Sequence, residues 1–152
     1  MADFVPADFD VPRELTTPQF RLEPLGPEHN LPDYAAWTSS IEHIRATPGF
    51  HGSSWPPVNG MTPESNLGDL QRHADDFVQR RGFTYTVLET DGDVIGCLYI
   101  YPSRKDPSVT DVRSWVRADR AELDVVLYEA VSRWLAERWP FAAVQYAVRS
   151  RT

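Results

Sequence analysis

Two runs rich in β-branched and aromatic residues, Phe83 to Thr90 and Val94 to Tyr101, flank Asp91-Gly92-Asp93. The Asp-Gly pair supplies the positive φ angles of a tight turn, so the stretch predicts an antiparallel hairpin. A lone hairpin is marginally stable in water, and other elements have to cover it. Gln19 to Leu25 alternates Phe20, Leu22 and Pro24 against Arg21 and Glu23, as a short half-buried strand does. Pro27 to Arg45 carries Leu31, Tyr34, Trp37, Ile41 and Ile44 at spacings of three and four, which predicts one helix, with Pro32 in its first turn and Thr47-Pro48-Gly49 at its end. Thr62-Pro63 starts a second helix along Leu67, Leu70, Ala74, Phe77 and Val78, closed by Arg81-Gly82. Val109 to Val116 reads as a further strand, Ala121 to Arg138 as a helix, and Ala142 to Val148 as a last strand.

These elements predict one α/β domain over residues 19–152, a length that closes a single two-layer core. Met1 to Pro18 has three prolines and no helical or strand period, so residues 1–18 form an arm expected to be extended or mobile. A formal charge of -7 with no long Lys/Arg run repels phosphate backbones and anionic headgroups, which argues against nucleic-acid and membrane-surface partners. No apolar segment approaches the roughly 20 residues of a spanning helix. Cys97 is the single cysteine, so no internal disulfide forms, and no basic segment followed by an apolar run opens the chain. A cytoplasmic location is expected.

Metal chemistry finds no support, because His29, His43, His51 and His73 lack ligand spacing and Cys97 cannot complete a zinc set. His51-Gly52-Ser53 lacks the strand-turn-helix context of a hydrolase nucleophile. Cys97, mid-strand among apolar neighbours, reads as a buried inert thiol.

The order strand, two helices, hairpin, strand, helix, strand resembles the GNAT superfamily of acyl-CoA-dependent N-acetyltransferases. Phe20-Arg21-Leu22-Glu23-Pro24-Leu25 is similar to that family's first strand, and Phe83 to Glu89 with Asp93-Val94-Ile95-Gly96-Cys97-Leu98-Tyr99-Ile100 to its central hairpin. Ser114-Trp115-Val116-Arg117 and the helix through Tyr128 to Leu135 resemble its cofactor-binding strand and following helix. The resemblance spans roughly Phe20 to Val148. It implies a GNAT-like mixed, mainly antiparallel sheet flanked by helices, with acetyl-CoA as cofactor. Its pantetheine arm would lie on the backbone of the Val109–Val116 strand, and its diphosphate on the turn that follows. Trp115, Val116, Arg117 and Arg120 are then the cofactor-binding candidates.

The turn departs from the family pattern. Arg117-Ala118-Asp119-Arg120-Ala121-Glu122-Leu123-Asp124 contains no glycine, whereas the family uses glycines to let backbone N–H groups close around the phosphates. Asp119 and Glu122 are spaced as a capping box for the helix, and Glu122 and Asp124 place negative charge where a diphosphate would sit. Arg117 and Arg120 are the remaining phosphate ligands. The family's usual final helix and two strands, with a Tyr that protonates the leaving thiolate, have no counterpart before Thr152, although Tyr99, Tyr101 or Tyr146 can offer a hydroxyl.

The remaining candidates each carry two readings. The resemblance makes Glu89 a general base, acting directly or through water, and its other reading is a solvated residue beside a turn. On strand alternation Ile95, Cys97, Tyr99 and Tyr101 share one face, so Tyr99 and Tyr101 either line an acceptor pocket and act in catalysis or pack as aromatics with one wet end. Asp111 and Arg113 alternate with Trp115 and Arg117 onto one face of their strand, as a polar substrate pocket or a solvent-facing edge. Trp55 either lines the acceptor loop or anchors it. Glu42 and His43 are pocket-lining candidates or a solvated helix face.

Two functions follow. The first is a GNAT-like transferase moving an acyl group from acyl-CoA to a small-molecule or protein amine. The alternative is a non-catalytic GNAT-like binding or self-assembling module that has lost acetyl-CoA binding. In both, Ala142, Val144, Tyr146 and Val148 share an apolar face on an uncovered last strand, which predicts a homodimer.

Overall fold

A computed structural model describes residues 3–149. Six strands lie in one sheet in chain order: β1 (Leu15–Thr16), β2 (Arg21–Pro24), β3 (Phe83–Leu88), β4 (Val94–Pro102), β5 (Thr110–Val116) and β6 (Val144–Tyr146). All neighbours pair antiparallel except β5 and β6, which are parallel. A parallel neighbour needs a crossover, and α4 (Leu123–Arg138) supplies it. On the α4 side, Leu127, Val131, Trp134 and Leu135 pack with Phe83, Tyr85, Ile100, Val112 and Val116. On the other side, α1 (Asn30–Thr38), α2 (Ile41–Arg45) and α3 (Pro63–Gln79) bury Trp37, Ile44 and Leu70 against Leu88, Cys97 and Trp115. Covered on both faces, β3 is buried at every position, which is why it reads as a continuous run without alternation.

The first helix of the sequence reading is divided. A 3-10 turn over Pro27–His29 leads into α1, and α2 begins only at Ile41. The hydroxyls of Thr38 and Ser39 donate to the carbonyls of Tyr34 (2.7 Å) and Ala36 (2.8 Å), satisfying the end of α1 locally and offering an exit from the helix there. α3 starts as expected: Thr62 Oγ1 accepts the Ser65 N–H at 3.1 Å, with Pro63 as the first helical residue. It stops earlier than Gly82, at Arg80 with a left-handed φ of 62°. The Arg80 guanidinium donates to the Pro6 and Phe9 carbonyls, and so holds the N-terminal arm. Val5 enters the core, and Tyr85 donates its hydroxyl to the Pro12 carbonyl.

Two further expectations are corrected. The hairpin pairs Val87 with Gly96 and Leu88 with Val94, so Ile95 is an extra residue in β4. That bulge sends Ile95 into the α4-side core, opposite Cys97, Tyr99 and the helices α1–α3. A side chain at Gly96 would lie 2.3 Å from the Trp115 carbonyl oxygen, so only glycine permits β4 and β5 to approach here. The proposed cap of the last helix does not form. Ala118–Arg120 makes a 3-10 turn, α4 begins at Leu123 without a side-chain cap, and the Asp119 carboxylate is taken by Arg117 instead.

Candidate functional site

The parallel pairing of β5 with β6 covers Thr110, Val112 and the residue between them, after which β5 continues through Arg113–Val116 without a β6 partner. The pairing ends with β6 at Tyr146, and the β5 edge from Arg113 to Val116 lies open, leaving a gap between the end of β5 and the chain leaving β6. At its apex the Ser114 and Tyr146 hydroxyls lie 2.6 Å apart. Burial pushes the Tyr146 phenol well up, so it holds its proton at neutral pH.

Arg149 fills the opening. Its Nη2 donates to the Ser114 carbonyl (2.8 Å), Nη1 to the Ala147 carbonyl (2.8 Å) and Nε to Asp124 Oδ2 (3.0 Å). The guanidinium carbon lies 5.5 Å from the Tyr146 ring and 6.0 Å from the Tyr128 ring, within cation–π range. Only 3% of the Arg149 side chain remains exposed.

Three N–H groups of the turn after β5 are taken up within the protein. The Ala118 N–H donates to Ser40 Oγ at 2.8 Å, Arg120 N–H to the Arg117 carbonyl at 2.9 Å and Asp124 N–H to the Ala121 carbonyl at 3.1 Å. Arg117 contacts Asp93 Oδ2 (2.9 Å) and the Val94 carbonyl (3.1 Å), and grips both oxygens of Asp119 at 2.9 and 3.0 Å. That grip holds the Asp119 carboxyl below its ordinary range. Arg120 is ion-paired with Glu89. Glu89 thus stands at the turn, close to Arg120. The strand register sets Val116 opposite Gly96 and Ser114 opposite Leu98, so the Ser114–Tyr146 apex lies further along β5 from this turn.

The other candidates gather on the opposite face of the sheet. Trp115 is fully buried, and its Nε1 donates to the Tyr99 hydroxyl at 3.0 Å. The Trp55 ring lies 6.1 Å from Trp115, 6.2 Å from Tyr99, 6.0 Å from Phe50 and 5.6 Å from Trp37. Aromatic side chains therefore occupy the space between the 51–60 loop and the sheet. Burial drives the Tyr99 phenol and the Cys97 thiol up. Tyr101 donates to Asp76 Oδ2 (2.8 Å) and lies 2.9 Å from His73 Nδ1, and burial lowers the His73 pKa to about 4. Asp111 and Arg113 form a partly exposed ion pair of 3.1 Å at the rim of this face. Val116 points the other way, into the α4-side core. An open hollow of about 510 Å³ lies over α2, lined by Ile41, Glu42, Arg45, Ala46 and Val58. Among the described residues no three His, Cys, Asp or Glu side chains converge to hold a metal ion, and no helix is long and apolar enough to cross a membrane.

Sequence reasoning did not reach Arg149. It follows no strand or helix period, and its partners Ser114, Asp124 and Tyr128 are distant in the chain.

The same fold occurs in solved acetyltransferases. The ribosomal-protein-S5-alanine acetyltransferase from Vibrio fischeri is 12% identical, with 90% of this chain and 73% of that one covered at a TM-score of 0.66. The microcin C7 self immunity acetyltransferase MccE, solved with acetyl-CoA and AMP, is 9% identical over 90% of this chain and 72% of its own at 0.65. A GCN5-related N-acetyltransferase from Brucella melitensis is 16% identical over 85% and 57% at 0.60. No family model and no curated protein matches the sequence, so the likeness is one of fold. The fold is that of the GNAT acetyltransferases: one α/β domain with a mixed, mainly antiparallel sheet between helices.

The residues fit an acyl-CoA in part. The edge of β5 beyond its last β6 pair suits an amide-bearing arm. At the turn the N–H groups of Ala118, Arg120 and Asp124 already have acceptors, and Arg117 and Arg120 reach a phosphate only by exchanging their carboxylate partners.

Proposed function

We propose that this chain is a GNAT-type acyltransferase that takes acetyl-CoA or a related acyl-CoA along the free edge of β5 and passes the acyl group to a small-molecule or protein amine. The observation that supports the reading is the end of β5–β6 pairing at Val112 and Tyr146, which leaves the rest of the β5 edge without a strand partner on that side. A bound acyl-CoA supplies an activated acyl carbon. In this reading the amine nitrogen forms the new C–N bond as the C–S bond breaks, and a proton passes from nitrogen to sulfur, in part through solvent. The Val116 backbone N–H polarises the acyl carbonyl from the strand edge. The Tyr146 hydroxyl, held against Ser114 and kept protonated by burial, is the proton donor to the departing sulfur. Asp111, at the rim of the other face, attracts the incoming ammonium, which gives one proton to solvent before the neutral amine attacks. A diphosphate that drew Arg120 to itself would release Glu89 from its ion pair.

A second reading, a non-catalytic GNAT-fold module, is favoured by the occupied N–H groups of Ala118, Arg120 and Asp124 and by the paired arginines. Under either reading the uncovered edge of β6 would join two copies, which light scattering at tens of micromolar protein tests through the dimer mass. Titration calorimetry with acetyl-CoA separates the readings. The acyltransferase requires binding with Kd below about 1 mM. A folded protein that gives no heat at millimolar acetyl-CoA leaves the module.

A further inference from the structure

We infer that Arg149 is a latch on the donor cleft, a side chain that must leave the β5–β6 gap before an acyl-CoA can occupy it. The inference rests on the acyl-CoA reading above. The Ser114 carbonyl, which accepts from Arg149 Nη2, lies on the edge of β5 just beyond the last β6 pair. It is a backbone acceptor that an amide-bearing arm laid along this edge would use, so Arg149 and the arm compete for the same group. The guanidinium also fills the space beside Tyr128 and Tyr146 that such an arm would cross.

The contacts make the latch closed but exchangeable. Two of its three acceptors are backbone carbonyls, and the one on β5, at Ser114, is a group that an incoming N–H can satisfy in the arginine's place. The third, Asp124, keeps Oδ1 buried without a partner, so the network is not saturated. Ala147 to Arg149 follow β6 without regular secondary structure, and Arg149 lies three residues past the last β5–β6 pair, so its side chain can withdraw without breaking one.

The latch makes a prediction whose sign is opposite to that of simple electrostatics. Acyl-CoA is an anion, so deleting a nearby cation should weaken its binding. Deleting a latch should tighten it, because a ligand that must first open a closed state pays a factor equal to the inverse of the open fraction. The test compares Asp124→Asn with Asp124→Asn/Arg149→Ala, a pair in which removing the arginine leaves no buried carboxylate unpaired. Acetyl-CoA is titrated into both by calorimetry, with thermal midpoints checking the fold. We expect the double variant to bind about tenfold more tightly than Asp124→Asn. Equal or weaker binding by a folded double variant overturns the latch and leaves the acyl-CoA reading standing. If neither variant nor the wild type binds, the acyl-CoA reading falls and the latch falls with it. Hydrogen exchange on the wild type provides a readout independent of either substitution. Saturating acetyl-CoA should speed exchange of the Arg149 Nε–H, which is buried and donates to Asp124 Oδ2, and unchanged or slower exchange there overturns the latch.

Discussion

In the acyl-CoA reading the α1–α3 face of the sheet is the acceptor side and the α4 face the donor side, and the two are filled by different chemistry. On the acceptor side Trp55, Trp115, Tyr99, Phe50 and Trp37 pack ring against ring, and Trp115 carries its one polar atom to the Tyr99 hydroxyl. On the donor side one guanidinium bridges two carbonyls and a carboxylate. Packed aromatics exclude water and resist displacement, since opening them exposes a large apolar area. A hydrogen-bonded side chain exchanges partners with smaller net change, because a ligand replaces the bonds it breaks. In that reading the donor side is therefore the one that would open.

The largest effect that can break this comparison is on the aromatic side. Trp115→Ala removes a fully buried indole between the α1–α3 layer and the sheet, and should cost about 3–5 kcal/mol in urea unfolding. A loss under about 1 kcal/mol would mean that the cluster is loose and that the acceptor side also opens. Trp55→Ala, at a half-buried loop position, should cost less than Trp115→Ala.

A second test separates two buried polar groups within the acceptor-side layer. Burial raises the Asp33 pKa from 3.8 to about 6, opposed in part by the hydrogen bond from Asn66 and by His29. Burial also lowers the His73 pKa from 6.5 to about 4, with Arg72 adding to the fall and Asp76 and Asp69 opposing it. The two shifts act in opposite directions on stability. Between about pH 4 and 6 the folded state binds more protons at Asp33 than the unfolded chain does, so this group's contribution falls as pH rises. Between about pH 4 and 6.5 the unfolded chain binds more protons at His73, so that contribution grows. Each is of order 2–3 kcal/mol, and they largely cancel in the wild type. Relative to wild type, Asp33→Asn should gain stability from pH 4 to pH 7, and His73→Gln should lose it. Parallel pH curves for the three proteins would show that neither group is buried in the state assigned here.

How far the sequence reveals this arrangement depends on the range of the interactions involved. The hairpin, the Thr62 cap and the α4 stripe are local signals, and the structure places all three near their expected positions. The break between α1 and α2 depends on hydroxyls of Thr38 and Ser39 turning back to the helix, a choice that the apolar spacing does not record. The bulge at Ile95 shifts the face of every residue before it, and period-two counting cannot detect an extra residue. Among the site candidates, Trp55, Tyr99, Asp111, Arg113 and Trp115 share a face because strand alternation and loop order bring them there. The turn arginines were legible as charges, but their carboxylate partners were not. Arg149 was invisible because each partner that fixes it, apart from the neighbouring Ala147 and Tyr146, lies on β5 or α4.

The smallest predicted effect concerns the turn between these two sides. Had Asp119 capped α4, Asp119→Ala would cost about 1 kcal/mol, the usual loss of a cap. The carboxylate instead meets Arg117 with 61% of its side chain exposed, and an exposed ion pair contributes about 0.5 kcal/mol or less and fades with salt. The expected result is a small change in the urea midpoint that shrinks further at high salt. The same substitution frees two donors of Arg117, which then retains Asp93 and the Val94 carbonyl. If the turn receives a diphosphate, Asp119→Ala should therefore tighten acetyl-CoA binding several-fold at low salt while leaving stability nearly unchanged. A variant that loses about 1 kcal/mol of stability and gains no affinity would restore Asp119 as a cap and remove Arg117 from the phosphate site.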